Sequence, residues 1–286
     1  MTGLKTLLEI FELEPIEQNI FRGVSYDLGF PNLFGGQVLG QALMAATQTV
    51  ERDRVAHSCH AYFLRAGDAK APIVYQVNRI RDGRSFTTRH ILAIQHGRPI
   101  FDMSASFQVP EEGFEHQEPM PLEVPQPETL KTQQALYADE DGRLPEPLSI
   151  ARPVEIRPVD PQDKRRSEPG EPARQNWFRA TEPMPDDVNM HHALLAYASD
   201  FELLSTALMP HGKSIMNGEV FAASLDHALW IHRPFRLDDW LLYDMHSPNA
   251  CNSRGLNFGR IYSRDGTLVA SVAQEGLIRP RRAEQK

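Results

Sequence analysis

LLAYASDFELLSTALM, residues 194–209, is apolar on nearly every side if it winds as a helix. Leu194, Leu195, Ala196 and Ala198 lead in, and Phe201, Leu203, Leu204, Ala207 and Leu208 follow. A surface helix keeps a polar face, so a helix without one is expected to be enclosed by the rest of the protein. One acid, Asp200, stands in the middle of the stretch. An unpaired carboxylate in such surroundings is costly or takes up a proton, so it needs either structural partners or a chemical task. Strand-like segments come next: SLDHALWIHRPF (224–235), DWLLYDMHS (239–247), SRGLNFGRIYSRDG (253–266) and TLVASVAQEGLI (267–278).

The first half of the chain has a similar series. GGQVLGQALMAATQTV (35–50) reads as a second buried helix. HSCHAYFLRAGD (57–68), PIVYQVNRIRDGRSFTTRHILAIQHG (72–97) and RPIFDMSASFQ (98–108) then read as strands. The pairs Asp82-Gly83, His96-Gly97 and Asp265-Gly266 are of the kind that close antiparallel hairpins. The two series match best at CHAYFLRAGD (59–68) against DHALWIHRPF (226–235), which indicates an internal duplication. One enclosed helix followed by an antiparallel sheet implies that the sheet wraps the helix. The expected fold is therefore α+β, a double hot-dog with two antiparallel sheets, each around one long central helix.

Twelve of the 22 prolines fall between Pro110 and Pro172, where removed donors and fixed φ angles disfavour helices and central strands. The chain accordingly divides into an N-terminal repeat (1–108), a Pro-rich connector (109–149) and a C-terminal repeat (150–286). PVEIRPV (153–159) is expected as an edge strand.

Composition narrows the function. A formal charge of −8 argues against nucleic-acid and anionic-membrane partners. Two distant cysteines, Cys59 and Cys251, make neither a disulfide framework nor a zinc knuckle, which suits a reducing cytoplasm. The opening residues carry acids inside an apolar run, with Leu4, Leu7, Leu8 and Phe11 on one side. They read as an amphipathic helix and not as a signal peptide. No apolar run approaches the ~20 residues of a membrane span, and the terminal RRAEQK is not a peroxisomal SKL signal.

FGGQVLGQAL, HSCHAYFLRAGD, SLDHALWIHRPF and VASVAQEGLIR, in this order, resemble the bacterial acyl-CoA thioesterase II family across nearly the whole chain. The resemblance implies a double hot-dog fold and hydrolysis of acyl-CoA thioesters over a broad range of chain lengths. It also implies no metal or organic cofactor, and self-association as a homodimer or homotetramer. The family arranges an Asp, a Ser or Thr, and a Gln around one water. The matching positions here are Asp200 in YASD, Ser224 before LDH, where many relatives have Thr, and Gln274 before EG.

These residue types suit the reaction. A carboxylate in an apolar setting is a stronger base. The Gln amide can hold a water through one donor and one acceptor, and a hydroxyl can hold it from another side. The oxyanion donor is not visible in sequence, and a backbone N–H at a helix start is one option. A Ser224 nucleophile would need a GxSxG elbow and a nearby His. His227 lies on the opposite strand face, and His232 is roughly 26 Å along an extended chain. Direct attack by Asp200 through an acyl-anhydride stays open.

Other features read as structural. The small residues of FGGQVLGQ lack phosphate-loop spacing and suit close packing of the first helix on its sheet. In a regular strand, His57 and Cys59 face one way and His60 the other, so no shared metal is expected. His191 and His192 should be paired or exposed, and Lys164, Arg165 and Arg166 form a solvated loop with a minor option of steering CoA phosphates. Asp226 shares the strand face of Ser224. Gly40 and Gln41 occupy the region corresponding to Asp200, and Ser106 lies near the position matching Gln274. With no acid in the first helix, one catalytic site per chain is expected. The competing functions are a hot-dog acyl-CoA hydratase or dehydratase, and a non-catalytic acyl-CoA-binding protein. The first would need a His partnered with the carboxylate, and the second would lose one of the three polar residues.

Overall fold

A computed structural model describes residues 3–29, 32–138, 141, 143, 144, 152–160, 169–215 and 218–281. The first repeat opens with α1 (Gly3–Phe11), β1 (Glu14–Glu17) and β2 (Ile20–Gly23). The central helix α2 (Gly35–Thr47) follows, then β3 (Val55–Phe63), β4 (Ile73–Asp82), β5 (Phe86–Gln95) and β6 (Arg98–Gln108). Among its described residues the connector carries a 3-10 turn at Pro127–Thr129 and a short helix, α3 (Gln133–Tyr137). The second repeat holds β7 (Val154–Pro158), β8 (Ala173–Ala180) and the central helix α4 (Val188–Ser199). It continues with a 3-10 helix at Leu204–His211, then β9 (Val220–Ser224), β10 (Asp226–Ile231), β11 (Leu241–Cys251), β12 (Arg254–Ser263) and β13 (Leu268–Pro280).

The two half-sheets are one. Strand order is β1-β2-β4-β5-β6-β3-β10-β13-β12-β11-β8-β7, with β9 also on β13. The junction joins the two segments that match best in sequence, pairing His60 with Ala228 and Cys59 with Leu229. The expected pair of sheets is thus fused edge to edge, which leaves neither half with a free central edge. β7 forms the far edge, as PVEIRPV suggested.

Both central helices are buried nearly all round. They pack against each other as well as on the sheet. A Cβ on Gly36 would lie 2.4 Å from the Tyr197 carbonyl oxygen, and one on Gly40 would lie 2.8 Å from that of Ala193. Gly36 and Gly40 of FGGQVLGQ therefore admit the other helix, whereas Gly35 makes the expected close approach to the sheet, where a Cβ would lie 2.8 Å from the Phe63 ring of β3. Residues 36 and 40 facing 197 and 193 also makes the two helices antiparallel. α1 closes this core with Leu4, Leu7, Ile10 and Phe11.

The connector covers the outer face of the second half-sheet. Trp177, Trp240, Leu242 and Tyr262 form a small cluster there, packed against Met120, Val124 and Leu130. Trp177 donates to the Pro125 carbonyl at 2.9 Å, and Tyr262 to that of Pro119 at 3.3 Å. Prolines offer carbonyls without donors of their own, which suits a strap lying across side chains that donate.

All three anticipated turns close hairpins. His96 and Gly97 both have positive φ (49° and 70°), as a tight two-residue turn requires, and Gly266 has φ 88°. Asn252 and Ser253, at φ 48° and 57°, close a further hairpin between β11 and β12 that the sequence did not suggest.

One reading of the opening stretch changes. α4 ends at Ser199, and Asp200 is its C-cap residue, not a mid-helix one. The chain turns through Glu202 at φ 64° before the 3-10 helix resumes the apolar run. By the same criterion the counterpart of Asp200 in the first repeat is Gln48, the C-cap of α2, instead of Gly40 or Gln41. Gln41 is structural: it donates to the Ile10 and Val24 carbonyls (2.7 and 2.9 Å) and accepts from Tyr75 (2.8 Å).

Candidate active site

Asp200, Ser224 and Gln274 come together at the end of α4. Gln274 is fully buried, and its Nε2 donates to Asp200 Oδ1 at 2.8 Å and to Ser224 Oγ at 2.9 Å. Its Oε1 is enclosed and makes no hydrogen bond to the described residues. The second carboxylate oxygen, Oδ2, accepts from the Gly36 backbone N–H at 2.8 Å. The site thus draws on both repeats.

Strand geometry explains the position of Ser224. β9 and β10 lie end to end along one edge of β13, with Ser224 opposite Gly276 and Ala228 opposite Ala273. The chain breaks direction at Leu225, whose N–H reaches the Glu275 carbonyl at 3.0 Å. Asp226 Oδ1 takes the Glu275 N–H at 2.7 Å in place of a backbone carbonyl. Asp226 is therefore a fastener of this break. The irregularity lets Ser224 approach the Gln274 side chain from a neighbouring strand.

Helix ends set the electrostatics. The C-terminus of α4 carries partial negative charge and disfavours an acid, whereas the antiparallel α2 brings its positive N-terminus to the same place. Phe34, the N-cap residue of α2, offers no side-chain cap, so Asp200 caps that helix from across the molecule. Such a charge–helix contact is worth about 0.3–1 kcal/mol when exposed and up to ~2 when enclosed. Burial raises the Asp200 pKa above the ordinary value, while Gln274, the Gly36 N–H and Ser224 each pull it back. The residue as a whole keeps some solvent exposure although its carboxyl group is enclosed. The result is a carboxylate with raised basicity beside polar groups that favour its ionised form.

An aromatic wall adjoins it. Phe34 stacks on Phe201 with centroids 4.5 Å apart, and Tyr197 meets both edge-on at 5.1 and 5.3 Å. Phe34 precedes the Gly35-Gly36 pair and Phe201 follows Asp200, so apolar surface begins directly beside the polar cluster.

The remaining candidates lie elsewhere. His227 is buried, bonds Ser199 Oγ at 2.9 Å, and is pushed down to about 3 by burial. His232 bonds Ser271 at 2.9 Å, so neither histidine serves Ser224. His191 accepts the Leu237 N–H at 3.0 Å. His192 stacks on Phe235 and is pushed down to about 4 by burial, which corrects the expectation of pairing or exposure for this residue. A register shift between Ala56 and Ser58 breaks the expected alternation of β3. Cys59 then joins the core, while the half-buried His57 bonds Ser106 at 2.8 Å. Ser106 therefore has its own partner away from Asp200. Lys164, Arg165 and Arg166 lie outside the described residues.

Two contributions escaped the sequence reading. The first is the Gly36 N–H, for which the double glycine at a helix start was the available signal. The second is Glu202, for which no local signal exists.

The chain matches the family model described as acyl-CoA thioesterase over residues 150–277 and the acyl-CoA thioesterase N-terminal domain over residues 27–108. It is 45% identical to acyl-CoA thioesterase 2 of Haemophilus influenzae, covering 96% of this chain and 98% of that protein. The crystal structure of an acyl-CoA thioesterase II, TesB2, from Mycobacterium marinum matches with TM-score 0.79 and 41% identity, over 96% of this chain and 98% of that one. A conserved protein with a hot dog fold from Alicyclobacillus acidocaldarius, 18% identical, shares the fold at TM-score 0.79 over 97% and 99% of the two chains. The chain belongs to the acyl-CoA thioesterase II family, and its reaction is the hydrolysis of acyl-CoA thioesters.

Proposed function

We propose that the hydrolysis is carried out at Asp200, with Ser224 and Gln274 positioning the attacking water, on acyl-CoAs of a broad range of chain lengths. The observation that carries this reading is the convergence of both Asp200 oxygens, Ser224 and Gln274 where the N-terminus of α2 lies beside the C-terminus of α4. The water donates to Asp200 and to Ser224 Oγ, which Gln274 Nε2 holds in place, and its oxygen attacks the thioester carbonyl carbon. Its proton passes to the carboxylate, the C–S bond breaks, and the CoA thiolate takes that proton from Asp200 as it leaves. The Phe34, Tyr197 and Phe201 wall receives the acyl chain.

Both Asp200 oxygens already accept hydrogen bonds, which favours the base over direct attack. A single turnover in ¹⁸O-water separates the two. Label in the protein carboxylate shows the anhydride, and label only in the fatty acid supports the base when hydroxylamine also traps no acyl-enzyme.

Thiol release from short, medium and long acyl-CoAs tests the activity, and Ser224 variants test the arrangement. Ser224→Ala removes one hydrogen bond to a charged group, about 1.5–3 kcal/mol, or a roughly ten- to hundredfold loss of kcat. Ser224→Thr keeps the hydroxyl and adds a methyl that restricts its rotamer, so it retains near-normal turnover. A folded but dead Ser224→Thr would remove this residue from the scheme. Complete loss in Ser224→Ala, together with a trapped acyl-serine in other variants, would revive the covalent route.

The pH dependence has a definite sign. The base must be ionised and its pKa is raised by burial, so kcat/KM falls as pH drops through a value above the ordinary Asp range. An acid limb at or below the ordinary Asp pKa would contradict an enclosed base.

A further inference from the structure

We infer that Glu202 is a positioning residue, whose carboxylate ties β8 and the connector to the turn that aims Asp200. The inference rests on the reading of Asp200 as the base. Glu202 follows Asp200 by two residues, and its backbone is left-handed at φ 64°. Its side chain is only 12% exposed, yet three groups from distant segments converge on it. Arg174 Nη1 and Asn176 Nδ2 of β8 donate to Oε2 at 2.8 and 3.2 Å, and Gln133 Nε2 of α3 donates to Oε1 at 2.5 Å. The Glu202 carbonyl accepts from the Ser205 and Thr206 hydroxyls at 2.8 and 3.2 Å, and Arg174 also reaches Ser205 Oγ at 2.9 Å. Arg152 stands 5.3 Å over the Phe201 ring, and the Glu202 charge is felt there.

Stability alone is a poor reason for this arrangement. A glycine would take the left-handed turn without steric cost, and a buried ion pair seldom stabilises more than a well-packed apolar replacement. What the carboxylate adds is a fixed geometry. α4 holds Asp200 on one side, and the Glu202 node holds the chain on the other, so the carboxylate cannot drift from the Gly36 N–H and Gln274. Among the described residues, Tyr197 of α4 and Tyr243 of β11 sense the Asp200 charge, and both are raised far above the usual tyrosine range by burial. Neither supplies a positive charge that could replace the lost hydrogen bonds. If the node loosens, burial of Asp200 is no longer offset and its pKa rises further.

The test uses full-length Glu202→Gln, Glu202→Gly, Arg174→Met and Gln133→Ala, assayed for kcat, KM, the pH profile of kcat/KM and thermal unfolding. Glu202→Gly keeps the turn and removes the carboxylate, and Gln133→Ala leaves the Arg174 ion pair intact should the other variants fail to fold. We expect kcat to fall roughly ten- to a hundredfold in the Glu202 and Arg174 variants, as for a misplacement on the order of 1 Å. The fall should be smaller in Gln133→Ala, with KM little changed and the acid limb moved upward in all four. Wild-type kcat in Glu202→Gly would overturn the inference, because the turn alone would then suffice. A loss that tracks only unfolding, with the acid limb unmoved, would reduce Glu202 to a structural residue. If Asp200→Asn is dead while these variants turn over normally, only the positioning role fails. If the wild type releases no thiol, the role assigned to Asp200 fails and this inference falls with it.

Discussion

Asp200→Asn is expected to lower kcat by about 10³-fold or more, roughly 4 kcal/mol of barrier, while the protein stays folded. The substitution keeps the size of the side chain and removes only its capacity to take a proton. It also places an amide nitrogen where a carboxylate oxygen accepted, opposite either the Gly36 N–H or Gln274 Nε2. The second conflict has a simple remedy. Gln274 Oε1 is enclosed without a bond to the described residues, so a flip of the Gln274 amide turns that acceptor toward the new donor. Burial raises the pKa of Asp200, which means that its ionised form is less comfortable in the folded state than in the unfolded chain. A raised carboxylate pKa makes ionisation oppose folding as pH rises through the window above the ordinary value. The neutral Asn is free of that cost, so the variant should unfold at or above the wild-type temperature near neutral pH. Loss of activity with unchanged or raised stability is the signature of a residue kept for chemistry. Thiol release at the wild-type rate would remove Asp200 from the mechanism. A variant that is inactive because it is unfolded would return Asp200 to being a structural charge.

The fold was legible to the extent that its signals are local. The enclosed helices, alternating strands and Gly-containing turns each follow from periodicities that a few residues display. The two segments that match best in sequence became the two strands that join the half-sheets. The end of α4 was not legible, because Phe201, Leu203, Leu204 and Leu208 continue the apolar pattern after the helix has stopped. Hydrophobicity records burial, and the 3-10 helix beyond Glu202 also buries Leu204, Thr206, Ala207, Leu208 and Met209. A left-handed glutamate gives no warning, since propensity favours Gly or Asn there. The irregularity in β3 was equally silent, and it moved His57 away from the face of Cys59. Asp200 itself stood out as an acid in oily surroundings, and the family resemblance supplied Ser224 and Gln274. The Gly36 N–H could not be found in this way. It meets Asp200 across 164 residues of sequence, and the double glycine marks a close approach without naming the group that approaches.

Gly36→Ala is expected to damage both stability and turnover, and by a route separate from the chemistry of Asp200. In an isolated helix the change would help, since alanine is favoured over glycine by about 1 kcal/mol. Here the added Cβ would lie 2.4 Å from the Tyr197 carbonyl oxygen and 2.5 Å from Phe34 Cε1. The Phe34 ring can rotate, but the Tyr197 carbonyl belongs to the backbone of α4 and moves only with the helix. Forcing a methyl into such a contact costs about 1–3 kcal/mol, sometimes more, which outweighs the gain in helix propensity. The strain is relieved by separating α2 from α4 at the end where Gly36 N–H holds Asp200 Oδ2. A shift on the order of 1 Å at that point is enough to cost about a hundredfold in kcat. Gly40→Ala provides the control, because its Cβ would meet the Ala193 carbonyl at 2.8 Å, one helical turn away from the Asp200 contact. Both variants should lower the unfolding temperature, and Gly36→Ala should lose kcat disproportionately to its loss of stability. Equal kcat in the two variants, at matched folded fraction, would mean that the helix contact serves packing alone and that Asp200 does not depend on the α2 N-terminus for its position.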